Sequence, residues 1–266
     1  MRTSSQEAPL PCFFGDEAHR LYGCHHLPTE AARREAILIC SATAHEYERC
    51  HRATRQLAVQ FARAGYPALR FDYFGTGDSA GDYAEASLSR WRDDIAAAAA
   101  ECRVRSARKS LCLAGLRLGA TLAAQAAAAL EGVTQLVLYA PILDGAALLE
   151  EWGREQAVFD GKHSQAIRRA PQEILGFPLG QSFRAQLGTG LAVPAPAPAI
   201  RRVLVLAERA DEPGVRQAAA VLASRGAAVT VEQADGPAVW RSEPLQAIVP
   251  FKVLRRIVAW VGEGAR

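Results

Sequence analysis

The sequence predicts an α/β fold in which a mostly parallel central sheet is covered by helices on both faces. Short, continuous apolar runs recur along the chain, and such runs are typical of strands that are buried on both faces. Stretches with apolar residues at helical spacing separate them. Of the 266 residues, 50% are hydrophobic and 22% are charged, which allows a sizeable core.

The apolar runs and stripes define the elements in order. Strands are predicted over residues 21–27, 36–40, 68–71, 111–114, 135–140, 203–206 and 228–231, the first of them antiparallel. Helices are predicted over the apolar stripes 53–64 and 91–102, over 118 to about 130, over 213–225 and after Pro250. Ser87 or Ser89 is suited to cap the second helix. Strands that alternate with helices in this way favour parallel pairing.

The alternation breaks over residues 144–199, where only short helical pieces are predicted. This segment ends in a stiff, proline-rich stretch, 193–199. We therefore expect a core of residues 18–143 and 200–266. Residues 144–199 are predicted to be a helical cap insertion with a proline-rich return linker, and residues 1–17 a flexible leader.

Charge and cysteine usage narrow the class of protein. The net charge is +3 and the basic residues are mixed with acids, so we expect neither a nucleic-acid nor a membrane partner. The six cysteines form no C-x-x-C pair and no zinc-binding pattern. No apolar leader segment is visible at the N-terminus. We expect a cytoplasmic protein with reduced thiols, no metal and no cofactor.

The segment 111–120 is the most informative part of the chain. It predicts a strand, a glycine-flanked turn and a helix start, the layout of a nucleophile elbow with the pattern G-x-S-x-G. Here Arg117 stands at the serine position, between Gly115 and Gly119. A guanidinium keeps its protons at working pH, so Arg117 cannot act as a nucleophile.

Two interpretations of Arg117 stay open. It is either a structural replacement that pairs with a carboxylate such as Glu46 or Asp211, or a group that binds an anion. A planar guanidinium grips two oxygens, and a helix N-terminus attracts negative charge. The candidate anions are a carboxylate, a phosphate or a developing oxyanion, and both interpretations hold if the substrate displaces the internal partner.

These motifs resemble the α/β-hydrolase superfamily, specifically its serine aminopeptidase-like branch. The resemblance rests on the elbow 115–120, the turn 70–82, and the segment 45–58, which begins His45-Glu46-Tyr47. More narrowly, the elbow followed by Leu122-Ala123 is similar to the exosortase-A-associated hydrolase type 2 group and to hydrolase-like proteins of bacterial biosynthetic clusters. The resemblance covers residues 20–262 and implies an α/β-hydrolase fold.

The resemblance also implies a serine, an acid and a histidine in that chain order. The acid is expected after strand 203–206, where Glu208 and Asp211 are both available. The histidine is expected after strand 228–231, but no histidine follows His163. With Arg117 at the serine position, serine-type acyl transfer by the usual route is not expected.

Other residues are candidates for a site rebuilt on this fold. His45 and Glu46, in the predicted loop 41–49, are candidates for moving protons, since the pKa of histidine lies near neutrality. Asp211 is a candidate for the remaining triad acid. The backbone N–H groups of Leu118 and of the region Thr43–Ala44 are expected to form a remnant oxyanion hole.

Two further candidates concern the walls of the site. Trp240 and the aromatic residues of the predicted cap are expected either to line an apolar substrate chamber or only to attach the cap to the core. Cys40 is either a displaced nucleophile or an inert thiol of the core.

Three hypotheses follow, and whether the protein is an enzyme stays open among them. In the first, it binds or transforms a small acyl-type or carboxylated metabolite by non-serine chemistry, such as elimination, cyclisation or isomerisation. In the second, it is a non-catalytic partner or scaffold that binds an enzyme or a carrier protein of a biosynthetic pathway. In the third, it is an ester or thioester hydrolase with an unorthodox nucleophile such as Cys40.

Overall fold

The computed structural model describes residues 9–162, 173–189, 191–243, 246 and 248–264. In chain order its elements are β1 (Leu10–Phe14), β2 (Leu21–His26), β3 (Glu35–Cys40), α1 (His45–Arg63), β4 (Ala68–Phe71), α2 (Leu88–Ser106), β5 (Ser110–Leu116), α3 (Leu118–Ala127), β6 (Val133–Tyr139), α4 (Gly145–Lys162), β7 (Glu173–Ile174), β8 (Phe177–Pro178), α5 (Gln181–Gly188), β9 (Arg202–Ala207), α6 (Pro213–Ala223), β10 (Ala228–Gln233) and α7 (Phe251–Glu263).

The central sheet has eight strands in the order β1-β2-β4-β3-β5-β6-β9-β10. The strands from β4 to β10 in this order pair in parallel, whereas β2 pairs antiparallel with both β1 and β4. The predicted mostly parallel sheet, with an antiparallel early strand, is therefore confirmed.

Helices cover both faces of this sheet, as predicted. On one face, Trp91 of α2, Leu122 of α3 and Val215 of α6 belong to one apolar cluster. On the other face, Leu57 of α1 and Ile257 of α7 belong to a second cluster. Successive side chains of β3 enter the two clusters alternately, which explains why that strand is a continuous apolar run in the sequence.

Two predictions at the N-terminal side are wrong in part. The predicted leader includes β1, which pairs with β2 and buries Cys12 and Phe14, so residues 10–14 are part of the sheet; residues 1–8 lie outside the described residues. The predicted loop 41–49 is shorter than expected, because α1 begins at His45. Its polar first turn carries Glu46 and Glu48, and acids are favourable at a helix N-terminus.

The predicted cap insertion spans α4, the small hairpin of β7 and β8, and α5, followed by irregular chain that leads to β9. Residues 163–172 and 190 of this segment lie outside the described residues. Helix α4 buries Leu148 and Trp152 beneath it. Within the described part of the chain, no helix combines the length and the apolar character needed to span a membrane.

Candidate functional site

Arg117 lies at the turn between β5 and α3, where the sequence predicts it. It caps the N-terminus of α3 with φ 53° and ψ −126°, a backbone conformation that is strained for a residue with a side chain. Both flanking glycines are required by close packing. A Cβ atom on Gly119 would lie 2.1 Å from the carbonyl oxygen of Ser41, and one on Gly115 would lie 2.3 Å from the Cα atom of Ala120. The elbow geometry is present with arginine at its apex.

The Arg117 side chain is buried and engages two carboxylates. Its Nε donates to both oxygens of Glu46 at 3.1 Å, and its Nη2 donates to Glu46 Oε1 at 2.7 Å. The same Nη2 donates to Glu151 Oε2 at 2.8 Å. The guanidinium carbon also lies 5.0 Å from the centroid of the Trp240 ring, within cation–π range. Only 4% of Arg117 is exposed, so these contacts surround the guanidinium almost completely.

The electrostatics of this cluster favour the charged forms. Burial acts to lower the pKa of Arg117, but the neighbouring carboxylates of Glu46 and Glu151 outweigh it and raise that pKa above its ordinary value. Burial acts to raise the pKa of Glu151, but Arg117 and Arg241 outweigh it and lower that pKa. The ion pairs of Glu151 with Arg117 and Arg241 therefore stay ionised at neutral pH.

Glu46 joins the elbow to helix α4. It is fully buried in the first turn of α1, and its Oε1 accepts a hydrogen bond from the Trp152 indole nitrogen at 3.2 Å. The carboxylate is therefore held by Arg117 on one side and by Trp152 of α4 on the other. Such hydrogen bonds and ion pairs offset the free-energy cost of burying the charged carboxylate.

A second set of polar contacts attaches α4 to the core at Glu155, one helical turn after Glu151. Arg49 Nη1 lies 2.5 Å from Glu155 Oε2 and 2.7 Å from the Trp240 carbonyl oxygen, and His45 Nε2 lies 3.3 Å from Glu155 Oε2. Burial acts to raise the pKa of Glu155, but the neighbouring side chains of His45 and Arg49 outweigh it and lower that pKa. Helix α4 is thus fastened to the core through Glu151, Trp152 and Glu155.

A cavity of about 1120 Å³ lies beside the elbow, between α4 and the carboxyl ends of the strands. Arg117, Glu151, Glu208 and Arg241 contribute charged groups to its wall. Arg241 Nε and Nη2 each lie 2.9 Å from Glu151 Oε1, and Nη1 lies 2.6 Å from Glu208 Oε2. The apolar part of the wall includes Leu143, Ala147, Leu148, Val158, Phe159 and Leu175. The position fits the general rule that sites in such sheets lie beyond the carboxyl ends of the strands.

Most of the predicted site residues are not part of the cavity wall. Thr43, Ala44, His45, Leu118 and Trp240 are all buried, with at most 5% exposure, and none of them lines the cavity. Both His45 and Glu46 face α4, although a loop would have turned them in different directions, because the first turn of α1 presents them together.

The two candidates for the triad acid differ in whether they reach the cavity. Asp211 is not brought into the site, since its side chain is 73% exposed and lies 3.6 Å from Arg209. The predicted pairing of Asp211 with Arg117 is therefore wrong, and the alternative with Glu46 is confirmed. Glu208 is the acid after β9 that reaches the cavity wall.

Two other predictions concern cysteine and metal. Cys40 is fully buried, and burial raises the pKa of its thiol well above the ordinary value, which argues against a nucleophile. Among the described residues, no three His, Cys, Asp or Glu side chains are grouped as a metal site would need.

Sequence reasoning missed Glu151, Glu155 and Arg241. The only available signal was the spacing of Glu151 and Glu155, four residues apart on a predicted helical piece next to Trp152. Nothing in the sequence around Arg241 indicates a contact with residues of the cap.

Comparison with known proteins identifies the family to which these features belong. The family model "Hydrolase_4: Serine aminopeptidase, S33" matches residues 31–170, more than half of the chain. No curated protein matches the sequence.

Solved structures share the fold at low sequence identity. They include DcsB in complex with its substrate analogue, with 14% identity over 97% of this chain and 99% of that one and a TM-score of 0.67. The Pyrococcus furiosus esterase PF2001 is 13% identical over 96% and 90%, with a TM-score of 0.65. Est1E from Butyrivibrio proteoclasticus, with ferulic acid bound, is 14% identical over 94% and 99%, with a TM-score of 0.64. Likeness at this level of identity establishes the α/β-hydrolase fold, and function must be argued from the site itself.

Proposed function

This chain belongs to the Hydrolase_4 (serine aminopeptidase, S33) family, and we propose that it is a non-catalytic member that binds a small acyl-type or carboxylated molecule. The binding site is the cavity between α4 and the carboxyl ends of the strands. The single observation that carries the proposal is the state of Arg117. The residue at the apex of the elbow cannot act as a nucleophile, and its guanidinium is already engaged by Glu46, Glu151 and Trp240.

The surroundings of the elbow support the absence of hydrolysis. A carbonyl group that entered the cavity would meet Arg117 and Glu151, whereas Thr43, Ala44 and Leu118, the candidates for an oxyanion hole, are buried and do not line the cavity. Oxyanion stabilisation requires donors within about 3 Å of the reacting oxygen. The chain also has no histidine after His163, and serine-type hydrolysis needs one after the last strand.

The cavity wall supports the proposed class of ligand. Its volume lies slightly above the range of about 300–1,000 Å³ that is usual for small-molecule pockets. The wall includes apolar side chains, with Val158 at 59% and Phe159 at 37% exposure, and the guanidinium groups of Arg117 and Arg241 beside the carboxylates of Glu151 and Glu208. This combination suits a molecule with an apolar chain and an anionic end.

The other hypotheses receive less support from the geometry. Elimination, cyclisation or isomerisation by His45 or Glu46 would require these groups to reach the ligand, and both lie outside the cavity wall. Binding of a pathway enzyme or carrier protein stays a proposal without a specific contact surface to support it.

Calorimetric titration with octanoate, a minimal acyl carboxylate, tests the proposed function. Ala147→Trp places a large side chain into the cavity from the exposed side of α4, and we expect it to weaken octanoate binding by about tenfold or more, which corresponds to about 1.4 kcal/mol. Val104→Trp is the matched control, because Val104 is 76% exposed on α2 and does not line the cavity. Equal binding by both variants, or no binding by the wild type, would contradict the proposal.

A further inference from the structure

We infer that Glu151 is an internal substitute for the carboxylate of the bound molecule, which replaces it between Arg117 and Arg241. The inference rests on the proposed function and adds the position and charge of the ligand head group. It also makes Glu151 a built-in competitor of that ligand.

The geometry around Glu151 is that of a bound carboxylate. Its Oε2 accepts from Arg117 Nη2 at 2.8 Å, and its Oε1 lies 2.9 Å from both Nε and Nη2 of Arg241. One carboxylate therefore bridges two guanidinium groups, a planar arrangement that arginine forms readily with carboxylates. All three side chains line the cavity, so an external carboxylate can reach the same position from the open side.

The charges that remain when Glu151 moves away favour an anionic ligand. When Glu151 leaves, Arg117 keeps Glu46 and Arg241 keeps Glu208, so each guanidinium retains one carboxylate partner. An incoming carboxylate restores the bridge that Glu151 made. An ammonium group at the same point would face two guanidinium groups instead, which is electrostatically unfavourable.

The displaced Glu151 side chain has another partner on its own helix. Arg154 lies three residues further along α4, and side chains at this spacing are neighbours on a helix surface. The Arg154 side chain is 71% exposed, lines the cavity and lies 3.7 Å from Glu150. The exchange therefore needs only a side-chain rotation.

Helix α4 stays attached to the core during this exchange. Trp152 keeps its hydrogen bond to Glu46, and Glu155 keeps its contact with Arg49. The apolar tail of the ligand then lies against Val158 and Leu175, on the cap side of the same cavity. The ligand class is a carboxylate that carries an apolar chain.

The test compares octanoate binding to two variants that remove the same charge from α4. Glu151→Gln removes the competitor, whereas Glu150→Gln changes an exposed acid that does not line the cavity. We expect Glu151→Gln to bind octanoate about tenfold more tightly than Glu150→Gln does, and octanamide, which is uncharged, to show no such gain. Equal or weaker octanoate binding by Glu151→Gln would overturn the inference.

A second variant keeps the test decisive if Glu151→Gln does not fold. Arg241 is 47% exposed in its side chain, so Arg241→Gln is expected to fold, and it removes one of the two guanidinium groups. We expect it to weaken octanoate binding by about tenfold. Binding equal to that of the wild type would overturn the inference.

The outcomes separate this inference from the proposed function. If octanoate binds to none of the wild type, Glu150→Gln and Glu151→Gln, the proposed function fails and the inference fails with it. If octanoate binds all three with the same affinity, the cavity is a binding site and only the exchange with Glu151 is wrong.

Discussion

Arg117 and Glu46 form a buried ion pair with three hydrogen bonds, two at 3.1 Å and one at 2.7 Å, that joins the elbow of one parallel strand to the first turn of the neighbouring helix α1. In a working hydrolase of this fold the elbow presents a hydroxyl to the substrate. Here it presents a cation to an internal carboxylate. Arg117 also helps to attach helix α4 to the core, through its ion pair with Glu151.

The first prediction concerns the stability that depends on this pair. Arg117→Met leaves the fully buried Glu46 carboxylate without its cation, and removing one partner of a buried pair costs about 3–5 kcal/mol. Arg154→Met is the control, because the Arg154–Glu150 pair is exposed and such pairs contribute less than about 1 kcal/mol. The free energy of unfolding in urea measures both. A loss in Arg117→Met no larger than in Arg154→Met would show that the buried pair is not a stabilising centre.

The second prediction concerns the packing of the elbow. Gly119→Ala forces a Cβ atom to within 2.1 Å of the Ser41 carbonyl oxygen, and we expect a loss of about 1–3 kcal/mol or more from overpacking. Gly153→Ala in α4 meets no atom within 4 Å, and we expect a gain of about 0.5–1 kcal/mol from reduced chain entropy. Thermal unfolding compares the two variants. Similar stability of both would contradict the close contact at the elbow.

The third prediction concerns pH. The pKa values of Glu151 and Glu155 are lowered in the folded protein, against an ordinary value of 4.5, because arginine and histidine partners outweigh the opposing effect of burial. The stability they contribute is therefore fully present above pH 4.5 and is lost as the pH falls through their lowered folded-state pKa values. Urea unfolding at pH 7 and at successively lower pH measures this loss.

Variants of α4 test whether this pH dependence comes from Glu151 and Glu155. We expect the double variant Glu151→Gln/Glu155→Gln to lose less stability on acidification than the wild type, whereas the exposed control Glu150→Gln should behave as the wild type does. If the double variant and the wild type lose the same amount, the acid sensitivity lies elsewhere in the protein.

The fourth prediction concerns the cysteine alternative. Because Cys40 is fully buried and burial raises its pKa, we expect no reaction with iodoacetamide in the native protein and full reaction after unfolding. Peptide mass spectrometry locates the label. Selective modification of Cys40 in the native protein would restore a thiol nucleophile as a working hypothesis.

The fold was predictable where a strand is buried on both faces of the sheet. Strand β3 is an uninterrupted apolar run because its side chains enter both apolar clusters. Strand β1 was missed because it is an edge strand in which Leu10 and Phe13 are 45% and 53% exposed, and because Pro11 interrupts its pattern. Edge strands tolerate such residues, so their sequence signal is weak.

The sequence predicted only those site residues whose positions depend on short distances along the chain. The glycines at positions 115 and 119 fix the location of Arg117, and Glu46 follows from the loop after the neighbouring parallel strand. Asp211 and Glu208 are three residues apart, and only the turn after β9 decides that Glu208 reaches the cavity. Glu151 and Arg241 meet across 90 residues of chain, which no local pattern encodes.

The turnover of p-nitrophenyl octanoate by the wild-type protein, measured beside Arg117→Ala, tests whether the elbow is catalytically inactive. We expect nitrophenolate release at the rate of buffer alone for both proteins, since Arg117 supplies no nucleophile and no histidine follows His163. Turnover by the wild type that Arg117→Ala abolishes would contradict this expectation and would make Arg117 part of a catalytic site.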